Sequence, residues 1–133
     1  MNLFVWTESL ATGNPYIDDD HHELVRRINA VLEAIAMQQV GPNLGEAIRQ
    51  LIAFVHEHFG REEFEMRRIQ YPALEAHSQA HADLIRQLQD QLDALQASQT
   101  IDQMAFYSFL TWWIKDHIRD LDKPLASALS NQN

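Results

Sequence analysis

No cysteine occurs in the 133 residues. That absence removes disulfides, thiolate zinc sites, thiol catalysis and cysteine-ligated iron–sulfur clusters together. Glycine and proline number four each, too few for a loop-rich or fibrous chain. No stretch alternates apolar and polar residues as a half-buried strand would. No run approaches the roughly 18–20 continuous apolar residues of a membrane-spanning helix, so no integral membrane segment is expected. Met1 to Ala11 carries no basic cluster ahead of its short apolar stretch, and Glu8 interrupts it. A signal peptide is therefore not expected, and a cytoplasmic location is. Basic residues are scarce as well: ten Lys and Arg stand against nineteen Asp and Glu, a net charge of -9. Such a surface is repelled by nucleic-acid phosphates and by anionic lipid, so neither is an expected partner.

What is present is a 46% apolar composition, enough for a packed core in a chain of one domain's length, and seven histidines. Residues 1–17, with Trp6, Gly13, Asn14 and Pro15, read as an irregular N-terminal arm. Asp18, Asp19 and Asp20 follow as caps or first-turn acids of a helix, where carboxylates meet the positive end of the dipole. Leu24, Val25, Ile28, Val31, Leu32 and Ile35 then recur at helical spacing, up to Gly41-Pro42-Asn43. A second stripe runs Leu44, Ile48, Leu51, Ile52, Val55, Phe59, Met66 and Ile69, and Tyr71-Pro72 ends it. The third is Leu74, Leu84, Ile85, Leu88, Leu92 and Leu95, stopping near Ser98-Gln99-Thr100. The fourth is Ile101, Ala105, Phe106, Phe109, Leu110, Trp113 and Leu121, with Lys123-Pro124 as its stop and residues 123–133 as a tail. Four amphipathic helices of about 20 residues with short connections predict a single all-α domain, an up-down-up-down four-helix bundle over residues 18–122.

Helical periodicity also assigns the histidines to faces. His21 lies three and four residues before Leu24 and Val25, on the core stripe of the first helix. His58 follows Val55 by three and precedes Glu62 by four. His77 and His81 are four apart beside Leu74 and Leu84, and His117 is four beyond Trp113. Every helix thus sends an imidazole inward, and Glu62 joins them. A buried polar group left unpaired costs about 1–3 kcal/mol, so five imidazoles converging without a common partner make an expensive core. A metal ion takes one nitrogen of each and leaves the other for an outer acceptor. Asp122 is five residues after His117, a rotation of about 140° on an ideal helix. Either it is an exposed acid at a helix end, or the helix loosens before Pro124 and turns it inward.

Five nitrogens and two carboxylates exceed one tetrahedral zinc site and suit two carboxylate-bridged ions, iron or manganese better than copper(I). The ferritin-like plan requires Glu-x-x-His on two helices. None of the residues three before a histidine is Glu, so that plan is disfavoured. His-Glu-x-x-His and Cys-x-x-Cys-His are both absent. His56 lies about 200° from His58 and His22 about 100° from His21, so both are expected to face solvent. Gly60 sits inside the second helix at a cost of about 1 kcal/mol against Ala, for close helix approach or by simple tolerance.

Ile17-Asp18-Asp19-Asp20-His21-His22-Glu23-Leu24 resembles the first motif of the hemerythrin family, and His58-Phe59-Gly60-Arg61-Glu62-Glu63 resembles the second. Tyr71-Pro72 with His77 and His81 is similar to the third, and Trp113-Ile114-Lys115-Asp116-His117-Ile118 with Asp122 to the last. The resemblance spans Trp6 to Asp122, and a stand-alone domain of this kind resembles the bacteriohemerythrins. It implies two iron ions with an oxo or hydroxo bridge. His77, His81 and His117 would hold one, and His21 and His58 the other, which is left one ligand short. Glu62 and Asp122 would bridge them, and dioxygen would bind reversibly at the open position. Glu63, beside Glu62, is expected to act structurally or behind the ligands, and Asp18 as an N-cap.

The function this implies is dioxygen storage, delivery or sensing, with dioxygen as ligand and, for delivery, an oxygen-consuming enzyme as partner. No enzymatic activity is expected, and the chain is read as a monomer. The competing readings are a di-iron redox enzyme acting on peroxide or nitric oxide, and an iron store.

Overall fold

The computed structural model describes residues 3–37, 42–97 and 102–131. Five α-helices and no strand occur among them: α1 Pro15–Ala36, α2 Pro42–Arg68, α3 Leu74–Gln96, α4 Gln103–His117 and α5 Lys123–Ser130. A single π-helical turn, Ile118–Asp122, joins α4 to α5, so the last two make one interrupted rod. With that rod as the fourth member, the chain is an up-down-up-down four-helix bundle. Among the described residues no helix is long and apolar enough to cross a membrane.

The helix starts differ from the sequence expectation in one place. Asn14, not Asp18, caps α1: its side chain accepts from the backbone N–H groups of Tyr16 and Ile17, both at 3.0 Å, and Pro15 occupies the first helical position. This is the residue pair a helix start prefers, since proline's missing N–H would have no partner there anyway. Asp18 stands in the first turn and reaches back, accepting from Thr12 N and Oγ1 at 2.8 Å and from Gly13 N at 3.2 Å. It thereby fastens a turn in which Gly13 takes φ +90, a conformation open to glycine at no steric cost. Asp102 caps α4 through Ala105 N. The expected boundaries at Gly41, Ser98-Gln99-Thr100 and Ile101 lie outside the described residues.

The second difference is at Lys123-Pro124, which does not stop the fourth helix. Lys123 N–H donates to Ile118 O, a bond spanning five residues instead of four. The wider turn opens the backbone just where the proline ring would meet a carbonyl, and Pro124 then stands in the first turn of α5, where it is tolerated.

Packing follows the four stripes. Leu24, Ile28, Leu32 and Ile35 of α1 meet Leu44, Ile48, Leu51 and Phe59 of α2, Leu84 and Leu88 of α3, and Leu110 and Ile114 of α4 in one buried cluster. A second, smaller cluster holds Ile17, Met66, Leu125 and Ala126, with Ile69, Tyr71, Leu74 and Leu129 against it. On each helix a polar residue falls between the two: His21 between Ile17 and Leu24, Glu62 between Phe59 and Met66, His77 between Leu74 and Leu84, Asp122 between Ile118 and Leu125. The bundle interior is thus apolar, then polar, then apolar along its length.

The N-terminal arm is tied down. Asn29 accepts from Phe4 N at 2.7 Å and donates to Phe4 O at 2.8 Å, closing two hydrogen bonds on one backbone unit. Leu10 is buried, and Lys123 donates to the Ser9 carbonyl. Truncating Leu88, which is fully buried at the centre of the larger cluster, should remove about 2–5 kcal/mol as Leu88→Ala. Urea unfolding measures this, and a loss of under 1 kcal/mol would contradict the packing described.

Candidate metal centre

The structure brings all seven sequence-predicted ligand residues into one buried layer. His21, His58, Glu62, His77, His81, His117 and Asp122 are each 5% exposed or less. Asp122 arrives through the π-helical turn. In a turn closed by five-residue bonds, residues five apart become neighbours, and Asp122 Oδ1 lies 3.3 Å from His117 Nε2. Of the two positions open to Asp122 from spacing, the inward one is therefore occupied.

The donors sort into two nests. Nε2 of His77, His81 and His117 converge, with His117 3.3 Å from His77 and 3.2 Å from His81. Glu62 Oε1 is 3.2 Å from His81 and 3.5 Å from His77, and Asp122 Oδ1 is 2.9 Å from His77. On the other side, Glu62 Oε2 is 3.0 Å from His58 Nε2 and Asp122 Oδ2 is 2.8 Å from His21 Nε2. Each carboxylate gives one oxygen to each nest. In both groups one atom per residue lies within 4.8 Å of all the others: Glu62, His77, His81, His117 and Asp122 in one, His21, His58, Glu62 and Asp122 in the other.

The electrostatics are those of a site made for cations. Burial disfavours the charged form of His58, yet Glu62 and Asp20 beside it outweigh that and raise its pKa to about 10. Burial likewise opposes charge on His77, and Asp122 and Glu62 raise it to about 9. Burial pushes Glu62 and Asp122 up, and the Asp122 charge pushes Glu62 further, but the surrounding imidazoles hold both carboxylates well below their ordinary range. Burial lowers His117. Even so, His21 Nε2, His58 Nε2 and all four carboxylate oxygens lack a partner in hydrogen-bond geometry. The three Nε2 atoms of His77, His81 and His117 crowd together and share the same two carboxylates, Glu62 and Asp122. A cation in each nest would satisfy these atoms at once, and its entry would displace imidazolium protons. All donors are nitrogen or carboxylate oxygen, a set suited to iron or manganese.

The family model for the hemerythrin HHE cation binding domain matches residues 12–129. The chain belongs to the hemerythrin family. The bacteriohemerythrin of Stenotrophomonas maltophilia (strain R551-3) is 29% identical over 127 residues, 95% of this chain and 81% of its own length. That of Methylococcus capsulatus (strain ATCC 33009 / NCIMB 11132 / Bath) is 27% identical over 131 residues, 98% of this chain and 99% of its own. A crystal structure of wild-type hemerythrin superposes with a TM-score of 0.86 at 26% identity, covering 97% of this chain and 99% of that one.

Within this hemerythrin bundle, the layer behind the donors is only partly the one sequence reasoning anticipated. Glu63, expected to act structurally or behind the ligands, accepts from His81 Nδ1 at 3.0 Å. Asp20, read from sequence as a cap or first-turn acid, instead accepts from His58 Nδ1 at 2.9 Å and from Arg61 Nη2 at 2.9 Å. No periodic signal marks such a bond, because it joins two helices 38 residues apart in sequence. Phe59 stacks on His81 with ring centroids 3.7 Å apart, and Trp113 on His117 at 4.3 Å. His22 is exposed and lies against Trp6, 4.0 Å between centroids, and His56 is exposed on α2. Gly60 has no neighbour within 4 Å of where a Cβ would stand, so close helix approach does not require it.

Three variants test the layer. His117→Ala should sharply lower the metal retained per chain, while His56→Ala should leave it unchanged; equal metal content in the two variants would contradict the facial assignment. Asp122→Ala removes the carboxylate that the π-helical turn carries inward. Helical circular dichroism should persist while retained metal falls.

Proposed function

We propose that the chain binds dioxygen reversibly at a non-haem di-iron centre, for storage, delivery or sensing of dioxygen. The observation that carries this reading is the unequal pair of nests, five donor atoms against four, with Glu62 and Asp122 shared. His77, His81 and His117 with one oxygen from each carboxylate would hold one iron as a closed site. His21 and His58 with the other two oxygens would hold the second and leave it a donor short. When bound, the two ferrous ions supply an exchangeable position and two electrons for dioxygen.

The chain's residues do the rest. Glu62 and Asp122 fix the separation of the nests by offering both ions an oxygen, and they offset part of the positive charge in a medium of low dielectric. Asp20 and Glu63 each hold an Nδ1, which keeps Nε2 of His58 and His81 aimed inward. Leu24, Phe59, Ile114 and Ile118, each at most 2% exposed, exclude water on the larger-cluster side. On that side, charge separation without water and without a proton donor is costly, which favours release of the ligand as it came. Among the described residues the buried titratable groups are the seven donors themselves. No further acid or base stands inside to serve a substrate, which supports a carrier over an enzyme. For delivery the recipient would be an oxygen-consuming enzyme.

The test is optical. The chain loaded anaerobically with ferrous iron should develop a ligand-to-iron charge-transfer band on exposure to dioxygen and lose it under argon, over repeated cycles. Immediate conversion to a stable diferric spectrum would defeat the reading and favour a redox enzyme acting on peroxide or nitric oxide, or an iron store.

A further inference from the structure

A cleft of about 1060 Å³ opens between the start of α1, the middle of α2, and α5. His58 and Glu62 line it although they are 1% and 4% exposed. His58 Nε2 and both Glu62 oxygens have no hydrogen-bond partner. Five carboxylates line the cleft, Asp19, Asp20, Glu57, Glu62 and Glu65, against two guanidiniums. Both arginines are engaged, Arg61 with Asp20 at 2.9 Å and Arg68 with Glu65 at 2.6 Å. Exposed Asp19 and Glu57 remain as uncompensated charge at the rim. Between His58 and Glu62 on α2 stands Gly60, with open space where its Cβ would be. Glycine inside a helix is destabilising, and no neighbour here demands one.

Resting on the metal-binding reading above, we propose that this cleft is the passage by which divalent cations reach the buried donors, and that Gly60 keeps it open. A hydrated ion does not cross either apolar cluster, since stripping a charge of water in an apolar medium is prohibitive. A cleft lined with negative charge concentrates cations and raises their rate of arrival. At its inner end Glu62 Oε2 and His58 Nε2, 3.0 Å apart, are unpaired and belong to the four-donor nest. These donor atoms are themselves buried, so the ion gives up its last water only on entering the four-donor nest.

A passage has a kinetic signature that a ligand lacks. Entry and exit use the same route, so obstructing it slows both by one factor and leaves the equilibrium alone. Gly60→Phe places a ring in the open space at an exposed helical position, where no clash prevents folding. The metal-free full chain is mixed with Co²⁺ alone, uptake is followed by visible absorption, and release is driven by excess EDTA. Gly60→Phe should bind as many Co²⁺ at equilibrium as the wild type while uptake and release slow by the same factor. Gln87→Phe, on an exposed face of α3 away from the cleft, should match the wild type. Asp19→Asn with Glu57→Gln should slow uptake at low ionic strength, by about tenfold, with the difference vanishing at high salt. Wild-type rates in Gly60→Phe would overturn the proposal, showing that ions enter where helices open elsewhere. Reduced Co²⁺ stoichiometry in that variant would also overturn it, making position 60 a support of the site. A wild-type chain that binds no Co²⁺ would instead defeat the metal-binding reading on which the passage depends.

Discussion

Seven ionisable side chains buried in one layer are the constraint that the rest of the structure serves. Two carboxylates in an apolar interior are tolerable only if opposite charge surrounds them, and five imidazoles are tolerable only if their nitrogens find partners. Glu62 and Asp122 meet both demands by turning one oxygen toward each group of histidines. No two helices could do this alone. His21 comes from α1, His58 and Glu62 from α2, His77 and His81 from α3, and His117 with Asp122 from the last rod. The layer therefore fixes the axial register of every helix against the others, which apolar stripes by themselves specify only loosely.

The register of the last rod shows how tightly this is drawn. An uninterrupted α-helix places His117 and Asp122 on different faces, and the π-helical turn between them is one residue of slack spent on bringing both inward. The same turn lets Pro124 sit inside a rod it would otherwise end. Local backbone irregularity and site assembly are here a single event, as is common where such turns occur.

Much of this was readable from spacing. The stripes and the inward faces of His21, His58, His77, His81 and His117 follow from a 3.6-residue period that every helix obeys. Asp122 was not decided, because the departure from that period which places it is a property of the assembled bundle. Asp18 looked like a cap since it precedes the apolar stripe, but Asn14-Pro15 is a stronger start signal, and it let the helix begin three residues earlier. Lys123-Pro124 looked like a stop for the same reason that proline usually is one. The bond from His58 to Asp20 had no sequence signal, for neighbours across helices depend on rotation and depth that only the packed structure fixes.

The polar layer also divides the interior, and that division bears on how the molecule comes apart. The smaller cluster, centred on Ile17, Met66, Leu125 and Ala126, has too little buried apolar area to hold four helix ends unaided. Among the described residues the charged layer lies between it and the larger cluster, so the two ends of the bundle share side-chain cooperativity across an electrostatic joint, not a continuous hydrophobic one. With the joint filled by ions, the whole rod set unfolds as one unit. With it empty, the end built from the start of α1, the end of α2 and α5 becomes a separate foldon of lower stability, first to exchange its amide hydrogens and first to meet a protease.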